Sequence, residues 1–318
     1  MIITLTLNPS LDRTMEVPGL ERGEVIRATS SGLEAGGKGV NVSRALLSNG
    51  VATVAVVALG GAVGDELATL LKASGLDLSV VQVAEETRSN VTLTEPDGTT
   101  TKINEAGAAL TLSELSGVEE TLLELARPGD WVVLSGSLPT AVPVSTYASL
   151  VRRLTTMDVK VAVDTSGQAL SEAIAAGPTL VKPNREELGQ AVGRPIDSIA
   201  DAVEAARILQ RRGAGAVLAS LGADGALLVE RDVVAGRCIV ERPRSTVGAG
   251  DCLLAGFLSA GGVGSDALLA ALKWASAAVA LPGSGVPTPA DIAALQPDLI
   301  TDIEQWGLSM SLGGNASQ

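Results

Sequence analysis

Runs of apolar residues alternate along the chain with segments in which apolar residues recur every three or four positions. The runs are rich in β-branched residues, the composition of strands buried on both faces, and they lie near residues 1–8, 51–60, 131–135, 159–163 and 216–220. Helical periodicity falls between them, near residues 39–48, 64–75, 112–126, 143–156, 168–176, 185–192 and 198–212. This alternation predicts an α/β fold with a mainly parallel sheet.

Two stretches interrupt this rhythm. Residues 11–35 and 87–106 alternate apolar and polar positions and contain turn signals, and Pro96-Asp97-Gly98 in the second predicts a hairpin. Short antiparallel strands inserted into an α/β fold are typical of a lid or a dimer surface. We therefore expect one domain over residues 1–308, with a discontinuous antiparallel β lid that also forms a homodimer, and a disordered tail at 309–318.

Composition narrows the classes of function. Of the 318 residues, 46% are hydrophobic, 19% are charged and only 2% are aromatic, so the core consists of small aliphatic side chains. The formal net charge is 23 − 36 = −13, which argues against nucleic acid or an anionic membrane as a partner. The chain has no histidine, which excludes Ser-His-Asp triads and imidazole bases. General-base chemistry therefore falls mainly to carboxylates.

Two features bear on location. Cys238 and Cys252 are the only cysteines, which is no disulfide framework. The N-terminal residues lack the basic and apolar regions of a signal peptide, and the apolar stretch at 51–63 is too short to span a bilayer. These features predict a cytoplasmic protein that has no membrane partner.

The stretch STVGAGDCLLAGF, residues 245–257, is the first candidate for chemistry. Gly248, Ala249 and Gly250 precede Asp251 at the start of a helical pattern, where free backbone N–H groups attract an anion. Glycine lets the backbone approach a ligand closely. Either Asp251 merely starts a helix, or its carboxylate works beside a second anion held there.

Three further loops accompany it. EAGGKGVNVSRAL at 34–46 is a second glycine-rich loop that opens a helix, and SLGADGALL at 220–228 connects two strands. VKPNREEL at 181–188 sets Asn184 and Glu187 three residues apart, on one face of the first helical turn. Such a pair is either a helix-start pair without a ligand or a source of oxygen atoms for a metal.

These motifs resemble those of a known family. GGKGVNVSRAL and STVGAGDCLLAGF are similar to the two signature regions of the PfkB carbohydrate kinases, KPNREE to their Asn-x-x-Glu motif, and SLGADGA to their nucleotide-side loop. The resemblance runs in the expected order from residue 1 to about 295. It implies a ribokinase-like three-layer α/β fold with a small antiparallel β lid, ATP as the phosphoryl donor, and Mg²⁺.

The resemblance gives Asp251 and the glycine loop specific roles. Phosphoryl transfer needs positioning and charge neutralisation more than covalent chemistry. The N–H groups of Gly248, Ala249 and Gly250 would hold the charge of the transferred phosphoryl group. Asp251, ionised at neutral pH, would take the proton of the attacking sugar hydroxyl.

The resemblance also assigns the remaining candidate residues to the sugar, to the metal or to the nucleotide. Asp12 would accept hydrogen bonds from sugar hydroxyls, and Lys38, Arg88 and Lys102 would clamp a phosphate already on the sugar, with Arg27 as a weaker candidate. The other expected sugar contacts are Gly36, Gly37, Asn41 and Ser137. Asn184 and Glu187 would organise Mg²⁺, mostly through water. The expected nucleotide contacts are Lys182, Asn184, Ser220, Gly222, Ala223, Gly225, Val247, Gly248, Gly250 and Ala277.

Two positions depart from the family pattern. Ser245 stands where the wider family usually has Asp, so any metal or structural role of that Asp is lost here. Cys252 follows the candidate base where Ser or Ala is common, and we expect it to be buried.

TLNPSLD at 6–12, GGKGVN and INEAG resemble the branch that phosphorylates ketohexose phosphates. The implied reaction converts fructose 1-phosphate to fructose 1,6-bisphosphate. Kinases of tagatose 6-phosphate and of fructose 6-phosphate are the alternatives. Ile103-Asn104 favours the phosphorylation of fructose 1-phosphate. A non-catalytic sugar-phosphate sensor is an alternative of another class. A dinucleotide-binding oxidoreductase is disfavoured because GGKGVN is not the Gly-x-Gly-x-x-Gly of a first βα turn.

Overall fold

The computed structural model describes residues 1–300 and 306–307, and the chain divides into two compact units, residues 1–160 and 161–318. The expected tail at 309–318 lies outside the described residues. One kinase domain over 1–308 stays a prediction. Among the described residues, no helix is both long enough and apolar enough to cross a membrane.

The first unit alternates strands and helices around a parallel sheet. Its elements are β1 (Ile2–Thr6), β2 (Ser10–Glu16), β3 (Ser30–Gly36), α1 (Lys38–Ser48), β4 (Thr53–Leu59), α2 (Gly61–Ala73), β5 (Asp77–Gln82), β6 (Arg88–Thr94), β7 (Thr100–Asn104), α3 (Leu112–Leu125), β8 (Trp131–Ser135) and α4 (Thr146–Thr156). Strands β8, β1, β4 and β5 are parallel neighbours in that order. Every residue of β1, β4 and β8 is buried, which explains their uninterrupted apolar sequences.

The interrupting stretches form a separate small sheet with the order β3-β2-β6-β7. The expected hairpin is confirmed, since β6 and β7 pair antiparallel and Gly98 takes a φ of 89° in the turn between them. Strands β2 and β3 are also antiparallel, whereas the central pair, β2 and β6, is parallel. The lid sheet predicted from the sequence is present, with one parallel pairing at its centre.

Strand register gives this small sheet two unlike faces. Side chains of paired residues share a face. The polar face carries Ser10, Asp12, Thr14, Glu34, Arg88, Asn90, Thr92, Lys102 and Asn104. The other, mainly apolar face carries Leu11, Met15, Leu33, Ala35, Val91, Leu93 and Ile103, together with Arg13, Ser31, Ser89 and Thr101. Leu11 and Ala35 are buried, and α2 packs on their strands. Ile103, at the other edge, is 58% exposed.

The second unit begins within β9 and ends its sheet with antiparallel strands. Its elements are β9 (Lys160–Asp164), α5 (Gly167–Ala175), β10 (Leu180–Val181), α6 (Arg185–Val192), α7 (Ile199–Arg211), β11 (Ala216–Ser220), a 3₁₀ turn (Gly222–Asp224), β12 (Ala226–Val229), β13 (Val233–Arg237), α8 (Ala249–Ser259), α9 (Gly264–Val279), α10 (Pro289–Ala293) and β14 (Asp298–Leu299). Strands β9 to β11 are parallel, and β12 to β14 continue antiparallel. The predicted α/β class with a mainly parallel sheet is confirmed.

Helices α8 and α9 pack closely in the second unit. A Cβ atom built on Gly256 of α8 would lie 2.8 Å from the Trp274 ring and 2.9 Å from the Ala270 carbonyl oxygen. Only glycine allows this approach without movement of α9. The position of α8 is therefore fixed by its contact with α9.

Candidate active site

Polar residues collect where three parallel strands of the second unit end. Asp164 ends β9, Lys182 and Asn184 follow β10, and Ser220 ends β11. The Lys182 backbone N–H donates to the Val163 carbonyl at 3.0 Å, and Asn184 forms an isolated bridge to Ser220. Ligands of open α/β sheets bind outside the carboxyl ends of the strands, so this edge is a candidate site.

A buried ion pair lies at that edge. The Lys182 Nζ atom is 3.1 Å from Asp164 Oδ2, and the two side chains are 4% and 0% exposed. A Cβ atom built on Gly250 would lie 3.3 Å from the same Nζ atom, so the ammonium group reaches the first turn of α8. The sequence analysis named Lys182 but missed Asp164. An acidic residue directly after the buried strand at 159–163 was the signal that pointed to it.

The N-terminus of α8 completes this group. Gly248 is its N-cap residue with a φ of 76°, a left-handed conformation that favours glycine. Among the described residues, no side chain caps this helix. Its first N–H groups and the Lys182 ammonium together favour an anion. Asp251 lies in the same turn, as expected, and is only 7% exposed.

Asn184 and Glu187 form a capping box at the start of α6. Asn184 Oδ1 accepts the Glu187 N–H at 2.8 Å, and Glu187 Oε2 accepts the Asn184 N–H at 2.9 Å. Thr111 and Glu114 make the same motif at α3. The helix-start interpretation of the pair is therefore realised. Its amide and carboxylate oxygens are also of the type that fits a hydrated Mg²⁺ ion.

The remaining nucleotide candidates lie in loops and on α9. The Leu221 N–H donates to the Gly225 carbonyl at 2.8 Å, which closes the turn that contains Gly222 and Ala223. Ala277 is buried in α9, and Val247 is exposed.

The positions that depart from the family pattern have clear places. The Ser245 N–H donates to the Val279 carbonyl at 3.2 Å, and its hydroxyl accepts the Val247 N–H at the same distance. Ser245 thus ties the glycine loop to the end of α9. Cys252 is buried, as expected.

In the first unit, Asp12 is held on the polar face of the small sheet. Its Oδ1 accepts hydrogen bonds from Ser10 Oγ at 2.7 Å and Asn90 Nδ2 at 2.8 Å. A Cβ atom built on Gly36 would lie 2.6 Å from Asp12 Cγ, so glycine is needed opposite the carboxylate. The sequence analysis missed Ser10 and Asn90. Their alternation with apolar neighbours was the available signal.

Arg88 ties two loops of the first unit together. It donates to the Asn8 carbonyl at 3.1 Å and to the Glu105 carbonyl at 3.2 Å. Burial lowers the pKa of its guanidinium, while the negative charges of Asp12 and Glu105 act in the opposite direction. Arg88 is thus near Asp12, on the same polar face.

The other sugar-side candidates lie at the start of α1 and just after the end of β8. Lys38 is the first residue of α1, behind Gly37 with a φ of 119°, and Asn41 lies in the same helical turn. Ser137 accepts a hydrogen bond from Asn8 Nδ2 at 3.1 Å.

Two cations are not adjacent to Arg88. Lys102 pairs with Thr92, four residues and about 13 Å further along β6 than Arg88, and it is exposed. Arg27 is exposed in the segment between β2 and β3. The structure therefore brings Asp12, Gly36 and Arg88 together but leaves Lys102 and Arg27 apart from them.

Residues 5–291 match the sequence pattern of the pfkB family of carbohydrate kinases. The chain belongs to this family. It is 40% identical to a 1-phosphofructokinase of Rhodobacter capsulatus, over 92% of this chain and 95% of that protein. The phosphofructokinase-2 of Escherichia coli, solved with substrates and products, is 33% identical with a TM-score of 0.87, covering 92% of this chain and 97% of that one. A tetrameric inhibited form of the same enzyme is 32% identical with a TM-score of 0.83, covering 92% and 96%.

Membership in the pfkB family confirms the predicted enzyme class, a kinase that transfers phosphoryl groups to a carbohydrate. For a pfkB family kinase, the first turn of α8 has the chemistry that this transfer needs. It combines a carboxylate, which can accept a proton, with a helix N-terminus and a buried ammonium group, which can stabilise negative charge.

Proposed function

We propose that this kinase transfers the γ-phosphoryl group of ATP to D-fructose 1-phosphate, giving D-fructose 1,6-bisphosphate and ADP. The observation that carries the proposal is the first turn of α8, where the buried Asp251 carboxylate stands beside the uncapped glycine turn that Lys182 reaches. The similarity to a 1-phosphofructokinase over nearly the whole of both chains supports the choice of sugar. Because the reaction consumes ATP, we place it in the cytoplasm.

In the proposed mechanism, Asp251 accepts the proton of the C6 hydroxyl as that oxygen attacks the γ-phosphorus. The bond between the γ-phosphorus and the β–γ bridging oxygen breaks, and ADP leaves with its electron pair. The N–H groups of Gly248, Ala249 and Gly250, together with Lys182, stabilise negative charge on the transferred group. Asp251 then holds the proton until it is released to solvent.

The sugar phosphate is bound by residues of the first unit in this proposal. Asp12, fixed by Ser10 and Asn90, accepts hydrogen bonds from sugar hydroxyls. Lys38 and Arg88 bind the 1-phosphate through charge-assisted hydrogen bonds. Four further candidate contacts are Gly36, Gly37, Asn41 and Ser137. Lys102 and Arg27 lie apart from Arg88, and from the exposed parts of the lid they would attract the anionic sugar without contacting its phosphate.

The nucleotide and its metal are bound by residues of the second unit. Asn184 and Glu187 would hold Mg²⁺ through water molecules, in agreement with their oxygen chemistry. When bound, Mg²⁺ neutralises charge on the β- and γ-phosphates. The adenine would pack near Ala277, and the remaining contacts would come from Ser220, Gly222, Ala223, Gly225 and Val247.

The lid also supports a homodimer in this proposal. The apolar face of the small sheet leaves Ile103 exposed, and Met15 and Leu93 are only partly buried. Pairing two such faces would remove this apolar surface from water. Sedimentation at micromolar protein tests it, since an active monomer contradicts the proposal.

A coupled assay with ATP and Mg²⁺ tests the reaction against a panel of sugars. We expect the largest kcat/KM with fructose 1-phosphate, compared with tagatose 6-phosphate, fructose 6-phosphate and free fructose. A higher kcat/KM for either 6-phosphate would move the assignment to that substrate. Sugar-phosphate binding without any turnover would indicate a non-catalytic sensor.

A further inference from the structure

Asp164 takes no part in the mechanism described so far, yet it is a fully buried carboxylate. Removing a carboxylate from water is unfavourable unless a partner compensates its charge. Its partner here is Lys182, at 3.1 Å. The same ammonium group reaches the first turn of α8, next to Gly250. The carboxylate therefore lies directly behind a cation that faces the proposed site of phosphoryl transfer.

We propose that Asp164 is a positioning residue that holds the Lys182 ammonium against the Gly248–Gly250 turn, where it contacts the terminal phosphate of a nucleoside triphosphate. Asp164 itself touches neither nucleotide nor sugar. The inference rests on the proposed function, because it takes the nucleotide to bind at this turn.

The backbone around the pair supports a fixed geometry. Val181 is in register with Val163 in the parallel pair of β10 and β9, so Lys182 and Asp164 are the next positions on neighbouring strands. The Lys182 N–H is bonded to the Val163 carbonyl, which holds the base of the lysine in place. Paired positions of adjacent strands direct their side chains to one face. Both ends of the lysine side chain are therefore held before any ligand arrives.

Glycine at position 250 belongs to the same arrangement. A Cβ atom there would stand 3.3 Å from the Lys182 Nζ atom, closer than side-chain carbons ordinarily come. An ordered ammonium group at this place adds a positive charge to the N-terminus of α8 without the entropy loss of ordering a mobile lysine on binding. An anion of higher charge gains the most binding free energy from this ammonium group.

The experiment compares two nucleotides that differ at the terminal phosphate. Calorimetry measures the affinities of ADP and the non-hydrolysable triphosphate AMP-PNP, each with Mg²⁺, for the parent, Asp164→Asn, Lys182→Met and the double variant. We expect Asp164→Asn and Lys182→Met to weaken AMP-PNP roughly tenfold or more, the worth of a charge-assisted contact, and ADP less than about threefold. The double variant should bind AMP-PNP within about twofold of Lys182→Met, because Asp164 acts through Lys182.

The control is Glu204→Gln, which breaks an exposed ion pair of Glu204 with Arg194 in the same unit. It should leave both affinities unchanged. Equal loss of ADP and AMP-PNP in Asp164→Asn would indicate a merely structural pair and overturn the inference. So would a double variant that loses a further tenfold relative to Lys182→Met.

The design remains decisive in two difficult cases. If Asp164→Asn alone does not fold, because it leaves a buried ammonium group uncompensated, the double variant removes both charges, and its comparison with Lys182→Met gives the answer. The measurement uses no sugar. A kinase that rejects fructose 1-phosphate while showing the expected AMP-PNP pattern would contradict the proposed function and leave the role of Asp164 intact.

Discussion

Lys182 and Lys102 are both candidate phosphate ligands, and they occupy opposite kinds of environment. Lys182 is 4% exposed, paired with a buried carboxylate and anchored between neighbouring strands. Lys102 is exposed on β7 of the small sheet. A buried charge interacts strongly because water screens it little, but it needs a partner that fixes its position. An exposed charge attracts anions from solution and leaves its side chain free to adapt.

The candidate residues of the second unit, around the start of α8, and those of the first unit, around Asp12, also differ in the structure that holds them. The second-unit group depends on strand ends and a helix start, which suit a phosphoryl group that must be placed accurately. The first-unit group depends on a thin sheet whose polar face presents hydroxyl, amide and carboxylate groups. We infer that the second-unit group supplies the chemistry and the first-unit group supplies recognition of the sugar.

Replacing Asp251 by Asn should remove the proposed base from the second-unit group. We expect kcat to fall roughly 10²–10⁴-fold, the usual contribution of general-base catalysis, while the melting temperature barely changes because the two side chains are nearly isosteric. Steady-state kinetics and a thermal melt measure both. A variant that keeps more than a tenth of the parental turnover would remove Asp251 from this role.

Replacing Lys38 by Ala should affect recognition instead. Loss of one charge-assisted contact of ~1.5–3 kcal/mol lowers kcat/KM for fructose 1-phosphate roughly 10–100-fold. The KM for ATP should stay within a few-fold of the parental value. Arg88→Ala should give the same kinetic pattern, with reduced stability as well, because Arg88 also bonds the carbonyls of Asn8 and Glu105. A loss of ATP binding with unchanged use of the sugar would reverse the division between the groups.

Glu187→Gln should separate metal binding from helix capping. Glutamine can fill the same capping box, so stability should change little, whereas the loss of charge should raise the Mg²⁺ concentration for half-maximal activity roughly tenfold. Glu114→Gln is the matched control, since Glu114 occupies the equivalent position at α3. Activity titrated with Mg²⁺ is the measurement. Equal responses of the two variants would leave Glu187 a capping residue alone.

Thr111→Ala should change stability and nothing in the kinetics. The loss of this N-cap costs about 1 kcal/mol of unfolding free energy. Hydrogen bonds from the Thr111 side chain, and from the backbone of Thr111 and Ala84, hold the pKa of Glu114 below its ordinary value of 4.5. A carboxyl group whose pKa is lower in the folded than in the unfolded protein stabilises the fold at pH values above its unfolded pKa. This stabilisation is lost as the pH falls through the folded pKa. The stability difference between variant and parent, from denaturant unfolding, should therefore shrink below about pH 4.

Sequence patterns predicted the buried strands well because burial on both faces leaves an unmistakable composition, as in β4. The same patterns did not predict that β2 pairs parallel to β6, because alternation reports which face a residue occupies and not the direction of its neighbour. The hairpin was predictable because its turn residues lie within it.

The candidate site shows the same limit. Asp251 and Lys38 could be named as candidates because their glycine-rich loops are local in sequence. Asp164 was missed because its partner lies 18 positions away and becomes a neighbour only through strand pairing. The capping box of Asn184 and Glu187 shows the converse, since one local motif suits both a helix start and a metal.

The close approach of α8 and α9 at Gly256 couples the positions of these two helices. Asp251 lies on α8 and Ala277 on α9, so helix packing sets the distance between the base and the adenine contact of the proposed mechanism. A side chain at position 256 would have to displace α9 and would therefore shift Ala277 relative to Asp251.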